Sequence, residues 1–156
     1  MFWAHDRAIE SVDGAVIARE DSPIVALLAT KAGLVWATHD AIRTLDGDKT
    51  RLLRALSHVR ALGTDGGDLF IASGDTISRG DGTTVSSVKL PVTAIASDAT
   101  NVFWIKRDAH VCTGVLRAPK SGGEARRLDP MCATAIVTTD RVVYWARGDA
   151  VLFLSK

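Results

Sequence analysis

Leu34-Val35-Trp36-Ala37-Thr38-His39-Asp40 decides the fold, because the apolar pattern of its opening triplet occurs five times along the chain. The copies are Met1-Phe2-Trp3, Leu34-Val35-Trp36, Leu69-Phe70-Ile71, Val102-Phe103-Trp104 and Val143-Tyr144-Trp145. Their last positions lie 33, 35, 33 and 41 residues apart. Self-similarity at a period of this length marks a repeat architecture.

Other columns keep the same phase. Ten residues before the aromatic position stand Ala26, Ala61, Ala94 and Ala135. Four residues after it stand Asp40, Asp75, Asp108 and Asp149, with Asp6 one place early in the first copy. Ten residues after it come Asp13-Gly14, Asp46-Gly47 and Asp81-Gly82. The fourth copy has Gly122-Gly123 instead, displaced by eight residues, and that insertion accounts for the long spacing.

Each unit reads as four short strands, A to D. In the second copy strand A is 25–30, B is 34–38, C is 41–45 and D is 50–55. Asp-Gly between apolar runs predicts a hairpin of type I′, which needs positive φ at both central residues. Residues 51–62 have some helical spacing but fall where other copies place strand D, so they read as strand. Four antiparallel strands in a unit of about 33 residues describe a β-propeller blade. The WD40 period is longer and its signatures are absent, while a β-solenoid would have shorter coils and no Asp-Gly hairpins. The fold class is all-β, with blades at 1–21, 22–57, 58–90, 91–129 and 130–156.

The first copy lacks strand A and the last lacks strand D. Three outcomes follow: a fragment of a six- to eight-bladed parent, a strained five-bladed ring, or an open arc completed by another chain. The fragment is the expectation, with exposed edges that favour a homo-oligomer. Strand B is apolar on consecutive residues because blades stack on both its faces. The recurring aromatic residues therefore read as inter-blade packing, with a sugar-stacking platform as the alternative.

Nineteen basic and eighteen acidic residues give a net charge of +1, which removes the electrostatic case for nucleic acid or an anionic membrane. Apolar residues make up 47%, a globular value. The longest apolar run, Ile24 to Ala29, is far short of the roughly 20 residues that span a bilayer. The opening residues carry no secretory signal pattern, so the chain reads either as cytoplasmic or as a fragment, and the fragment is preferred.

Residues 92–98 with Val102-Phe103-Trp104, then Gly114-Val115-Leu116-Arg117-Ala118-Pro119 and Gly122-Gly123, carry a family resemblance. They resemble the β-propeller repeats of secreted proteins and lipoproteins of myxobacteria and related bacteria. The resemblance covers essentially the whole chain, although the other blades shorten the second half to Asp-Gly. It implies a six- or seven-bladed ring of the TolB or NHL kind and an extracytoplasmic location. It transfers no catalytic residues.

Cys112 lies in the lengthened B–C segment and Cys132 just before the next strand A, which propeller topology puts on one rim. They are expected to form a disulfide, the alternative being two unrelated thiols. A disulfide would point to an oxidising compartment.

Chemistry is sparse. His39, Asp40, Asp75, Asp108, His110 and Asp149 are the candidate binding residues, all on the B–C rim. The aspartates read as turn chemistry or as a carboxylate ring. His5, His39 and His110 follow strand B, and with His58 they read as scattered surface groups or as acid–base groups. No metal-ligand, phosphate-loop or nucleophile motif is present, so no cofactor is expected. The expected function is a non-enzymatic module binding protein or carbohydrate. The alternative is a secreted lyase or hydrolase with a His/Asp site on the rim.

Overall fold

The computed structural model describes residues 1–89, 91–107 and 111–156, and these contain strands and no helix. Blade 1 is β1 (Phe2–His5), β2 (Ala8–Ser11) and β3 (Val16–Arg19). Blade 2 is β4 (Ile24–Thr30), β5 (Gly33–Thr38), β6 (Ala41–Asp46) and β7 (Lys49–Ala55). Blade 3 is β8 (Val59–Thr64), β9 (Leu69–Ser73), β10 (Thr76–Arg79) and β11 (Thr84–Ser87). Blade 4 is β12 (Val92–Ser97), β13 (Asn101–Arg107), β14 (Cys112–Pro119) and β15 (Arg126–Asp129). Blade 5 is β16 (Ala135–Thr138), β17 (Val142–Arg147) and β18 (Ala150–Ser155). Each blade is an antiparallel meander, and the inner strands β4, β8, β12 and β16 lie against one another in succession.

The blades form an open arc. In blade 2, Leu34 and Trp36 point towards Ile9 and Ala18 of blade 1, while Val35, Ala37 and Ile42 point towards Val59, Leu62 and Ile71 of blade 3. Both faces of β5 are therefore buried, which is why its sequence is apolar without alternation. At the two ends of the arc the same columns face solvent. Trp3 is 41% exposed where Trp36 is 0%, and Val151 is 69% exposed where its counterpart Ile42 is 0%. Val137 and Phe153 extend the exposed face of blade 5.

The Asp-Gly hairpins depart from the expected turn. In blade 2, Asp46 pairs with Lys49, so Gly47 and Asp48 form the loop, and of the two only Gly47 has positive φ (64°). In blades 1 and 3 the loop is one residue longer. Gly82 N–H donates to Arg79 O at 2.9 Å and Arg79 N–H to Thr83 O at 2.8 Å. Ser11, Gly14 and Ala15 repeat that pattern. This is a three-residue loop whose last member, glycine with φ of 83° or 98°, forms a bulge. The type I′ expectation fails because in each case the aspartate keeps negative φ and glycine alone takes the left-handed position.

The tryptophans do more than fill space. Trp36 Nε1 donates to Glu20 Oε1 at 2.6 Å, and Trp145 Nε1 donates to Asp129 Oδ2 at 2.7 Å. Each acceptor lies 16 residues earlier, at the end of the preceding blade's outer strand. Each is also paired with an arginine, Arg43 at 3.0 Å and Arg147 at 3.4 Å. Trp104 breaks the series. Sixteen residues before it stands Val88, and the buried Trp104 Nε1 has no hydrogen-bond partner among the described residues.

Candidate functional site

The arc has two rims. The B–C turns and D–A connections form one, and the A–B and C–D turns form the other. On the first rim the sequence of the inner strands creates the geometry. β4, β8 and β12 each carry a register irregularity at their second residue, between Ile24 and Ala26, Val59 and Ala61, and Val92 and Ala94. The extra residues are Val25, Arg60 and Thr93, one place before the recurring alanine. A β-bulge re-aims the side chain of its extra residue. Here all three line the same cavity of about 660 Å³.

His39 from the β5–β6 turn and Arg107 from the end of β13 complete its polar lining, and Val59, Pro91 and Val92 supply an apolar wall. His39 packs edge-on against His58, with ring centroids 5.2 Å apart. The backbone of Arg107 is tied down by its N–H donating to Pro91 O at 3.0 Å. No carboxylate lines the cavity among the described residues.

Of the residues singled out from sequence, His39 therefore lies in this cavity. Its neighbour Asp40 lines a smaller concavity of about 190 Å³ with Glu20, Asp21 and Arg43. Asp75 and Asp149 are exposed at the β9–β10 and β17–β18 turns and line neither. Asp108 and His110 lie outside the described residues. His5 ends β1 and pairs with Glu10 at 3.0 Å. Sequence reading missed Arg60 and Thr93. The column ahead of the alanine (Val25, Arg60, Thr93) shares no chemistry, so only the bulge reveals it.

The opposite rim is built differently. Its concavity of about 260 Å³ is lined by Thr64, Asp65, Ser97, Asp98, Thr138, Thr139 and Asp140. Two of its carboxylates are already engaged by lysines from the next blade. Lys120 pairs with Asp65 and lies over the Phe70 ring at 5.2 Å. Lys156 pairs with Asp98 at 2.9 Å and lies over Phe103 at 5.9 Å. Burial raises the pKa of both aspartates, but the lysine and two backbone N–H donors outweigh it. Asp65 falls to about 2, and Asp98 falls below its ordinary value. These residues clamp blades together.

Cys112, opening β14, is bonded to Cys132 in the β15–β16 connection, with Cα atoms 5.4 Å apart. The bond fastens the long β13–β14 hairpin to the segment that enters blade 5.

No protein-family model matches the sequence, and neither does any curated protein. Solved structures do match. A nidogen/laminin complex is 18% identical with a TM-score of 0.73, over 99% of this chain and 70% of that one. BamB from Moraxella catarrhalis is 14% identical with a TM-score of 0.66, over 94% of this chain and 50% of that one. The computationally designed Ika4 protein is 22% identical with a TM-score of 0.67, over 89% of this chain and 94% of that one. The likeness is one of fold. The propeller architecture is shared, and at these identities nothing about ligands comes with it.

Proposed function

We propose that this propeller arc is a non-enzymatic binding module that takes its ligand on the B–C rim. The observation that carries the reading is the convergence of three bulged residues, Val25, Arg60 and Thr93, on one cavity. On the other rim two of the three carboxylates lining the concavity, Asp65 and Asp98, are committed to lysines between blades. His39 and Asp40, two of the four residues a rim lyase or hydrolase would use, open into different concavities, so these two do not assemble an acid–base site together; Asp108 and His110 lie outside the described residues.

The test is a titration of ¹⁵N-labelled chain with a panel of neutral and acidic monosaccharides and short peptides. Shifts clustered on Val25, His39, Arg60 and Thr93 are expected. Shifts confined to the opposite rim, or turnover of any probe, would overturn the reading.

An extracytoplasmic setting belongs to the same proposal, supported by the Cys112–Cys132 bond, which persists in oxidising compartments. The open faces of blades 1 and 5 are two halves of the joint that is buried at every internal boundary. Their natural cover is another blade, and in a solution of this chain a second copy supplies it by a head-to-tail contact. Light scattering across a concentration series should show association. The double substitution Val151→Asp and Phe153→Asp should abolish it, whereas an unchanged mass at all concentrations would count against it.

A further inference from the structure

We infer that the ligand of the bulge-lined cavity is anionic, an organic molecule bearing a carboxylate or phosphate. The inference rests on the binding role proposed for that rim. Arg60 and Arg107 reach the cavity from adjacent blades, with His39 and Thr93 beside them. Neither arginine has an ion-pair partner among the described residues. Elsewhere Arg43, Arg79 and Arg147 are each paired with a carboxylate, as are Lys120 and Lys156. What sets these two apart is their setting: they face a concave space that no carboxylate lines among the described residues, whereas the concavity of Arg117 and Arg126 contains Glu124.

A guanidinium presents a planar fork of donors that matches a carboxylate or phosphate, and two forks from separate strands fix an oxyanion's orientation. The exposed Val25 and the half-buried Pro91 give the cavity apolar surface that favours an organic body over a fully hydrated ion.

The test is calorimetric titration with galacturonate, glucose 6-phosphate and glucose, on wild type and on Arg60→Gln, Arg107→Gln and Asp40→Asn. Thermal melts establish that each variant folds. At least one charged sugar should bind saturably while glucose does not, and the preferred one identifies the oxyanion. Each arginine variant should bind at least tenfold more weakly, as expected for loss of a charge-assisted hydrogen bond. Asp40→Asn, on the same rim but outside the cavity, should bind like wild type. If glucose binds as tightly as the charged sugars, or the arginine variants keep full affinity, the ligand is not anionic although the rim still binds. If no probe perturbs the rim, the binding role itself falls and the inference with it.

Discussion

Trp104 and Trp145 occupy the same column of adjacent blades, and both are buried against the preceding blade, yet they are held in different ways. Trp145 donates to Asp129, which also pairs with Arg147, so its N–H and the buried carboxylate satisfy one another. Trp104 meets Val88 at the corresponding place, and its N–H is left without a partner among the described residues. The repeat thus copies apolar packing from joint to joint more faithfully than it copies polar satisfaction. Volume must be filled at every joint, because an interior void costs free energy wherever it falls. Dropping the acceptor alone leaves the Trp104 donor buried and unsatisfied at a cost of about 1–3 kcal/mol, so this joint is held by its packing.

The joint between blades 4 and 5 carries the further tie of the disulfide. Replacing both Cys112 and Cys132 with serine should cost about 3 kcal/mol, from the loop entropy restored to the unfolded chain. Denaturant unfolding of the variant beside wild type would measure it. A loss below about 1 kcal/mol would mean that the polar cluster of Asp129, Trp145 and Arg147 already holds this joint without the bond.

Phenylalanine substitutions separate packing from hydrogen bonding. Trp36→Phe, Trp104→Phe and Trp145→Phe all lose similar ring volume, but only the first and last strip a donor from a carboxylate. Those two should be less stable than Trp104→Phe by about 1–3 kcal/mol, the cost of leaving a buried polar group under-satisfied. Midpoints of urea unfolding at unchanged slope would show it. Equal losses at all three positions would mean that the paired and unpaired tryptophans differ only in appearance.

Acid should weaken the two joints unequally. Joint 3–4 relies on Asp65 with Lys120, whereas joint 4–5 relies on Asp98 with Lys156 and on Asp129 as well. All three carboxylates have folded pKa values below the ordinary 3.8, with Asp65 at about 2. A depressed folded pKa contributes stability that is present above the unfolded value and lost as pH falls through the folded one. Stability should therefore decline between about pH 4 and pH 2, with Asp65 spanning that window. Asp65→Asn should remove about one proton from the slope of stability against pH, while an unchanged slope would show that Lys120 does not couple to it.

Much of the architecture was legible because packing repeats. The Leu34-Val35-Trp36 column, the alanine column and the chain's partial first and last blades each follow from residue identity at a fixed period. The Cys112–Cys132 pairing was legible too, since topology alone brings those positions to one rim. The cavity was not. Val25, Arg60 and Thr93 share neither charge nor shape, and what unites them is a backbone irregularity at the second residue of each inner strand. Turn type was misread for a related reason: Asp46-Gly47 and Asp81-Gly82 look alike, but the number of residues between paired strands sets which loop forms. The tryptophan–carboxylate pairing did have a signal, the interval of 16 residues from Glu20 to Trp36 and from Asp129 to Trp145. It is visible only once the acceptor is known to sit at the end of the outer strand.

That interval makes the exception testable. Val88→Glu places a carboxylate where Glu20 and Asp129 stand in the other joints, within reach of the unpartnered Trp104 N–H. Lys106 lies two residues after Trp104, as Arg147 lies two after Trp145, so a cation is available to the same group. The substitution gives up the burial of a valine, so the single variant need not gain stability. The informative quantity is the coupling in a double-mutant cycle with Trp104→Phe, which removes the donor while keeping an aromatic ring in place. Val88→Glu should be about 1 kcal/mol less damaging with tryptophan at position 104 than with phenylalanine, as expected for one recovered hydrogen bond. Zero coupling would mean that the backbone of blade 3 holds position 88 out of register with its counterparts. In that event the loss of the carboxylate would follow from altered geometry at this joint, and the apolar contact of Val88 with Trp104 would be what the joint requires.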